Sequence, residues 1–303
     1  MSELKELRIV DNFYQTSAYF PMPTTLVGTV SENGQTNLGA YSLCFPYYIA
    51  GKDYYAMILE CRNSSNTAQN ILRGKKVTLN FITDERKYFK EAVRLGFPGD
   101  TTEEKMKNCL FTLTESTLGA DRPKYIEESY QVFECTWDDS LEDAYLDKAG
   151  SLEGYEPPYR NFNGITSKFG AHFILKIDRI LMKEKYRNAI INGVKPSSFP
   201  RVPVDYGYRD STNFWYTKFR RPLAEKIPAR EGDVKSVVYA ASRIDPDVKF
   251  TDGACARLTK IPRVFLKAAL TQMVKIAKEE NITLIDEKAL DIINDKRRQE
   301  KKK

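Results

Sequence analysis

Short runs of β-branched and aromatic residues dominate the first two thirds of the chain. Two of these runs, 24–30 and 35–41, flank Asn33-Gly34, a dipeptide that favours a tight hairpin because both residues tolerate positive φ. Further strands are predicted at 54–59, 75–82, 130–137, 171–182 and 213–219. Because few helices separate these runs, the pattern favours an antiparallel barrel over a parallel sheet with crossover helices.

Apolar residues spaced three and four positions apart predict helices in two other regions. The segment 84–109 is expected to form a helical insertion in the β framework, and the chain is expected to be helical from Phe250 onward. Thr283-Leu284-Ile285-Asp286 resembles a capping box that opens the last helix. The core of this small helical part is predicted to contain Phe265, Leu266, Ala269, Leu270, Met273, Ile276, Ala277, Ala289, Leu290, Ile292 and Ile293.

The two patterns predict a mainly β fold followed by a small all-α domain. We place the β-rich domain at 1–222, a linker at 223–249, and the helical domain with a basic tail at 250–303. A stretch rich in Gly, Pro and Tyr at 153–170 is expected to form a long loop that is able to cover a site.

The distribution of charge argues against a nucleic-acid-binding protein. The formal net charge is +6, but the last eight residues hold six basic side chains and one acidic one, so most of the excess lies in the tail. A nucleic-acid-binding face would spread its basic residues over a folded surface. No apolar run approaches the roughly 20 residues that span a bilayer, and the N-terminal residues alternate in charge, unlike a secretory signal. We therefore expect a cytoplasmic protein that binds neither nucleic acid nor membrane.

Side chains suited to metal binding or nucleophilic catalysis are few and scattered. The five cysteines lie far apart with no C-x-x-C pair, which argues against zinc ribbons and dithiol redox motifs and indicates reduced, largely structural thiols. His172 is the single histidine, so a metal site with two histidines is excluded. We expect no metal site, and we expect the chemistry to belong to a bound cofactor.

The segment Arg62-Asn63-Ser64-Ser65-Asn66-Thr67 precedes a helix predicted at 68–74 and has two interpretations. The first N–H groups of a helix lack backbone partners and carry the positive end of its dipole, and here hydroxyls and a guanidinium lie beside them. Such a helix start is suited to bind a phosphate. The alternative is an N-cap without a ligand, because Ser, Asn and Thr all cap helices.

Residues 10–220 resemble the flavin reductase-like family, whose members fold as an FMN-binding split β-barrel. The resemblance is carried by Phe20–Val27, Gly34–Ser42, Arg62–Ile71 and Gly170-Ala171-His172-Phe173, in that order along the chain. It implies that FMN is the cofactor and that Tyr41 and Ser42 lie along the edge of its isoalloxazine ring. The phosphate-binding residues that it implies are Arg62, Asn63, Ser64, Ser65 and Thr67.

The roles of three further side chains follow from the same resemblance. Ser42 is expected to donate a hydrogen bond to the flavin ring. Asn37 is expected either to contact the flavin or to close the hairpin, since Asn is common in turns. His172 corresponds to a Gly-x-His element that family members place near the flavin and the nicotinamide. The alternative for His172 is a half-buried strand histidine, because a flavin accepts hydride without a protein base.

The resemblance implies an NAD(P)H-dependent flavin reductase-like oxidoreductase or an electron-transfer flavoprotein. NADH or NADPH is then the expected electron donor, a redox protein is an expected partner, and the chain is expected to form a homodimer. The alternative is a non-catalytic flavin-binding or adaptor protein whose helical C-terminus docks a partner.

The last part of the chain carries a second, shorter resemblance. Residues 250–303 are similar to the small helical domain that ends one of the proteins of light-independent protochlorophyllide reductase. The similarity is carried by Ala254, Leu258, Ile261-Pro262, Ala277 and Ile282-Thr283. It implies an interaction module and no pigment reduction.

Overall fold

The computed structural model describes residues 22–48, 54–96, 101–140, 162–208, 214–218, 223 and 234–300. The chain forms two compact units, Met1–Ala224 and Glu225–Lys303. The strands of the first unit are β1 (Met22–Pro23), β2 (Thr25–Val30), β3 (Thr36–Tyr41), β4 (Cys44–Tyr47), β5 (Ala56–Arg62), β6 (Lys76–Phe81), β7 (Leu113–Thr114), β8 (Tyr125–Ile126), β9 (Gln131–Trp137), β10 (Gly164–Ile165), β11 (Gly170–Met182), β12 (Val204–Tyr208) and β13 (Phe214–Thr217). Its helices are α1 (Asn66–Gly74), α2 (Arg86–Leu95), α3 (Thr102–Met106) and α4 (Glu184–Asn192).

One antiparallel sheet organises the first unit. Its strand order is β3-β2-β6-β9-β11-β5-β4, with β10 also paired to β11. The end strands β3 and β4 do not pair with each other among the described residues, which is the open arrangement of a split barrel. A small sheet of β1, β12 and β13 and a two-stranded pair of β7 and β8 accompany it. The predicted mainly β fold with a helical insertion is therefore confirmed.

Strand β2 is buried on both faces, which explains why it contains no charged residue. Val27 belongs to the core beneath α1, and Leu26 belongs to the core beneath α2. The predicted hairpin is confirmed, because β2 pairs with β3 and Gly34 in the turn has a φ of +83°. That angle lies in the left-handed region, where glycine carries no side-chain penalty.

The second unit is a small helical bundle with its own core. It contains α5 (Val234–Ser242), α6 (Asp252–Leu258), α7 (Arg263–Glu279) and α8 (Glu287–Glu300), and β14 (Lys249–Phe250) pairs in parallel with β15 (Leu284–Ile285). Phe265 and Ile292, which the pattern predicts to be core, are 64% and 51% exposed. Each lies next to a buried residue, and successive helical side chains point about 100° apart. The predicted core positions that are buried are Leu266, Leu270, Met273, Ile276, Ala277, Ala289, Leu290 and Ile293.

Two local predictions in this unit need correction. The capping box at 283–286 is wrong, because Leu284 and Ile285 form β15 and the helix begins after Asp286, whose Oδ1 accepts from the Ala289 amide at 2.8 Å. The segment predicted as a linker, 223–249, contains α5, with Val237 buried in the helical core. Proline, glycine and aspartate on both sides of α5 hide this helix in the sequence pattern.

One predicted loop falls partly outside the described residues, and some elements of the structure have no counterpart in the sequence prediction. Half of the long loop predicted at 153–170 lies outside them, and the described half, 162–170, contains β10. The sequence pattern does not predict α4 or β12. Of the helices that the structure describes, none is both long and apolar enough to cross a bilayer.

Candidate functional site

The candidate phosphate site lies where β5 passes into α1. β5 ends at Arg62, the Ser65 amide donates to the Arg62 carbonyl at 3.0 Å, and the helix follows at once. Ser65 is extended, with φ −72° and ψ 148°, and its side chain accepts from the Ala68 amide at 3.1 Å. Ser65 is therefore the N-cap, which satisfies one of the free amides of the first turn. Arg73 lies in the last turn, where a cation complements the helix dipole.

Two exposed side chains remain free at this helix start. Arg62 and Ser64 are exposed, and within the described residues neither side chain has a hydrogen-bond or ion-pair partner. The Thr67 amide, in the first turn, also has no acceptor among the described residues. A guanidinium, a hydroxyl and helix amides are the donors that bind a phosphate. The residues present therefore fit the phosphate of a flavin nucleotide.

Asn63 connects the site to the turn before β11. Its side-chain amide donates to the Lys168 carbonyl at 2.8 Å and the Ser167 carbonyl at 3.3 Å, and its backbone amide donates to the Phe169 carbonyl at 3.1 Å. Lys168 is exposed, and its Nζ lies 5.4 Å from the centroid of the Phe169 ring. Sequence patterns give no signal for this contact, because Lys168 lies about a hundred residues from Asn63 and the pairing of β5 with β11 brings the two together.

Thr67 and Tyr41 pack together beneath the helix start. Thr67 is 2% exposed, and the Tyr41 hydroxyl lies 3.4 Å from the Ser65 oxygen. Burial raises the pKa of Tyr41, and hydrogen bonds with the hydroxyls of Ser65 and Thr67 offset part of that rise. Burial also raises the pKa of the Cys61 thiol to about 12. Both groups are therefore neutral at pH 7, and Cys61 is a structural thiol.

Ser42 lies beside this cluster and is bound to a buried carboxylate. The Leu43 carbonyl accepts from the Glu60 amide at 2.9 Å, so the chain at 41–43 runs along the end of β5. The Ser42 hydroxyl donates to Asp205 Oδ2 at 2.6 Å, and the Thr24 hydroxyl donates to the same oxygen at 2.8 Å. Asp205 lies in β12 and is 2% exposed. Sequence reasoning missed it, because an isolated Asp in a strand that was not predicted carries no pattern.

Asn37 lies apart from the exposed donors. It sits inside β3 opposite Thr29, and Asn33, not Asn37, closes the hairpin by accepting from the Gln35 amide at 3.0 Å. Asn37 is 0% exposed; its carbonyl oxygen accepts from the Thr102 hydroxyl at 3.3 Å, and its Nδ2 has no partner among the described residues. Its role as a flavin ligand stays a prediction.

His172 lies on the opposite face of the sheet from the core beneath α1. Its neighbours Ala171 and Phe173 are in that core, whereas His172 is opposite Glu60 and shares its face. Nδ1 lies 2.7 Å from the Thr166 hydroxyl, and Nε2 lies 3.8 Å from Glu60 Oε2. Its ring stacks on Phe162 at 4.6 Å between centroids. His172 is therefore a part-buried strand histidine, and its catalytic role stays a prediction.

The structure thus brings most of the predicted residues to one edge of the sheet. Arg62, Asn63, Ser64, Ser65 and Thr67 form the start of α1, with Tyr41 and Ser42 beside them. Arg62 and Glu60 share a face of β5 with His172 of the neighbouring strand, whereas Asn37 is enclosed. Among the described residues, no group of three or more His, Cys, Asp or Glu side chains is arranged to bind a metal ion.

Comparison with known proteins supports the fold. No family model matches the sequence, and no curated protein matches it. A 2-nitrobenzoate 2-nitroreductase from Pseudomonas fluorescens is similar, with a TM-score of 0.51 and 16% identity over 77% of this chain and 100% of that one. A flavoredoxin from Methanosarcina acetivorans has a TM-score of 0.49 and 16% identity over 75% of this chain and 97% of its own chain. Nitrilotriacetate monooxygenase component B from Bacillus cereus has a TM-score of 0.49 and is 15% identical over 74% of this chain and 98% of its own chain.

At these identities the likeness establishes the fold alone, which is a split β-barrel of the kind seen in flavin reductase-like proteins. The C-terminal resemblance to protochlorophyllide reductase stays a prediction.

Proposed function

We propose that this chain binds FMN at the start of α1 and acts as an NAD(P)H-dependent flavin reductase-like oxidoreductase or electron-transfer flavoprotein. The observation that carries the proposal is a pair of exposed donors, Arg62 and Ser64, that have no partner in the described part of the chain and lie at a helix N-terminus with Tyr41 and Ser42 alongside. The fold adds support, because the nitroreductase that it resembles is named for a reduction.

In this proposal the residues at the start of α1 bind the phosphate and the residues at 41–42 orient the ring. Arg62 supplies positive charge, Ser64 supplies a hydroxyl, and the free amide of the first turn points its N–H at the anion. Asn63 anchors the turn before β11 by donating to the Lys168 carbonyl. When bound, the flavin carries out the hydride and electron transfer. The protein therefore needs no metal and no nucleophile of its own.

An anaerobic titration tests the proposal. Purified protein is reconstituted with FMN, and its absorption spectrum is followed while NADH or NADPH is added without oxygen. We expect a bound flavin spectrum that bleaches with at least one nicotinamide. A protein that does not retain or bind FMN would contradict the cofactor assignment.

A non-catalytic flavin-binding protein is the second candidate. The second unit favours it, because Tyr239, Phe265 and Ile292 are 64%, 64% and 51% exposed and present apolar surface that a partner is able to cover. The same titration separates the two candidates. Tight FMN binding with no bleaching by either nicotinamide would support this candidate over the reductase.

We also propose that the protein is a homodimer. Ile190, Ile191 and Val194 are exposed in and just after α4, where no residue of that helix is buried. Apolar surface of this kind is typical of contacts between protomers. Light scattering coupled to size exclusion measures the mass in solution, and a monomer at micromolar concentration would contradict the proposal.

A further inference from the structure

The hydrogen bonds of Ser42 fix which way its proton points. The hydroxyl donates to Asp205 Oδ2 at 2.6 Å, within the range of short, charge-assisted O–H···O⁻ bonds. Thr24 donates to the same oxygen at 2.8 Å, so two hydroxyls direct their protons to one carboxylate oxygen. A serine hydroxyl has a single proton and two lone pairs. With its proton committed to Asp205, Ser42 has only lone pairs left for any other partner.

The position of Ser42 makes this direction relevant to a ligand. Ser42 is part-exposed, whereas Asp205 is 2% exposed, so the carboxylate is enclosed and the serine is accessible. The neighbouring Tyr41 reaches Ser65 at the start of α1, and Leu43 pairs with Glu60 near the end of β5. The residues on both sides of Ser42 therefore contact the start of α1 and the end of β5, where the proposed phosphate donors lie.

We infer that Asp205 is a positioning residue that holds the Ser42 hydroxyl so that Ser42 meets the flavin ring as a hydrogen-bond acceptor and not as a donor. This rests on the proposed flavin site, and it reverses the donor role that the sequence suggested for Ser42. A flavin ring offers one N–H in both redox states and gains a second when it is reduced. Ser42 accepts from one of these two N–H groups.

The test measures FMN affinity in both redox states and the midpoint potential of the bound flavin, for the wild type and Ser42→Ala. Loss of one neutral hydrogen bond is expected to weaken binding by about three- to tenfold. If Ser42 accepts from the N–H that reduction adds, only the reduced form loses affinity. The potential then falls, by about 30 mV for a tenfold difference in a two-electron couple. If Ser42 accepts from the N–H present in both states, both forms lose affinity equally and the potential stays constant.

Two results would overturn the inference. A potential that rises in Ser42→Ala means that the serine had donated to the oxidised ring. Affinities and potential that all stay constant mean that Ser42 does not contact the ring. Failure of the wild type to bind FMN is a separate result, since it removes the proposed function and this inference with it.

The variants Asp205→Asn and Thr24→Val test whether Asp205 is the residue that fixes the direction of the Ser42 proton. Asp205→Asn removes the charge that fixes the proton, so it is expected to shift the affinity or potential in the same direction as Ser42→Ala and to add nothing in the double variant. Thr24→Val removes the other hydroxyl on the same oxygen and is the matched control, with flavin affinity and potential expected to stay at the wild-type values. If the effects of Ser42→Ala and Asp205→Asn add fully in the double variant, the inference is contradicted. Should Asp205→Asn fail to fold, Ser42→Ala decides the matter by itself.

Discussion

Arg62 combines exposure with the absence of a partner among the described residues, which is unusual for a cation beside a helix N-terminus. An exposed arginine of this kind contributes little to folding, so its charge is available to a ligand. The neighbouring Ser65 differs, because its hydroxyl is used as the N-cap. In the proposed site, ligand binding and helix capping fall to different residues of this segment, so its two interpretations are compatible at the level of single side chains.

Arg62→Ala is expected to weaken FMN binding by about 1.5–3 kcal/mol, the range for a hydrogen bond to a charged group. The melting temperature is expected to stay within experimental error, because Arg62 is exposed and its side chain has no hydrogen-bond or ion-pair partner among the residues that the structure describes. Calorimetric titration with FMN and a thermal scan measure the two quantities. Arg86→Ala is the matched control, since Arg86 is also exposed, begins α2 and lacks a partner among the described residues. Equal affinity of the Arg62 variant and the wild type would mean that the phosphate binds elsewhere.

Gly39 is required by a close approach of two side chains. A Cβ at this position would lie 2.8 Å from a ring carbon of Tyr41 and 2.9 Å from the Thr67 hydroxyl, closer than real contacts allow. We expect Gly39→Ala to cost about 1–3 kcal/mol of stability, as overpacking does. It is also expected to weaken FMN binding, because Tyr41 and Thr67 lie beneath the start of α1.

Chemical denaturation and FMN titration check this prediction. Gly74→Ala is its control, because nothing lies within 4 Å of a Cβ there and alanine favours the helix. A Gly39 variant as stable as the wild type would show that the two side chains move aside at no cost.

At the scale of elements, Glu91 joins α2 to the chain that follows α3. Its carboxylate accepts from Arg94 Nε at 2.9 Å and from the Leu110 amide at 3.1 Å. Burial by itself would raise the pKa of Glu91, but these hydrogen bonds outweigh it and hold the pKa below its ordinary value of 4.5. A lowered folded pKa stabilises the protein above the unfolded pKa, and that stability is lost as the pH falls through the folded pKa.

The free energy of unfolding is therefore expected to decrease as the pH falls below about 4.5, and Glu91→Gln should make this decrease shallower. At pH 7 the same change is expected to cost roughly 1–3 kcal/mol, since it removes a charge from a hydrogen-bonded pair. Urea denaturation from pH 7 to pH 3 measures both effects. Glu127→Gln is the control, because Glu127 is exposed and its side chain has no partner among the described residues. Identical pH profiles for Glu91→Gln and the wild type would refute the assignment.

Elements also differ in how well local sequence foretells them. The β2–β3 hairpin was predictable because Asn33-Gly34 fixes the turn and the flanking residues fit a buried strand. The segment at 283–286 was not, because its capping pattern competes with pairing between β14 and β15, which lie more than thirty residues apart. A tertiary contact overrides a local propensity in that case.

At the scale of the whole molecule, the two units have separate cores. The proposed site lies within the first unit, whereas Leu270, which is 0% exposed, belongs to the helical core of the second. Leu270→Ala is expected to destabilise the second unit by about 2–5 kcal/mol. FMN affinity is expected to stay unchanged, since no residue of the second unit takes part in the proposed site.

Leu79→Ala is the matched change in the first unit, where Leu79 is also 0% exposed. It is expected to cost a similar free energy and to lower FMN retention on heating, because the sheet carries the site. Calorimetry and flavin fluorescence during a thermal scan follow the two units. A loss of FMN affinity in Leu270→Ala at 25 °C would mean that the helical unit contributes to the site.

Local sequence was enough to predict the longer strands of the main sheet, the helical insertion, the helical C-terminal part and the cap at the start of α1. These depend on periodicity, turn residues and capping, which act between neighbours along the chain. It took the folded arrangement to show that Asp205 orients Ser42, that Asn63 holds the turn carrying Lys168, and that Asn37 is enclosed. Strand order and sheet faces bring such residues together across more than a hundred positions, and no local pattern in the sequence records that pairing.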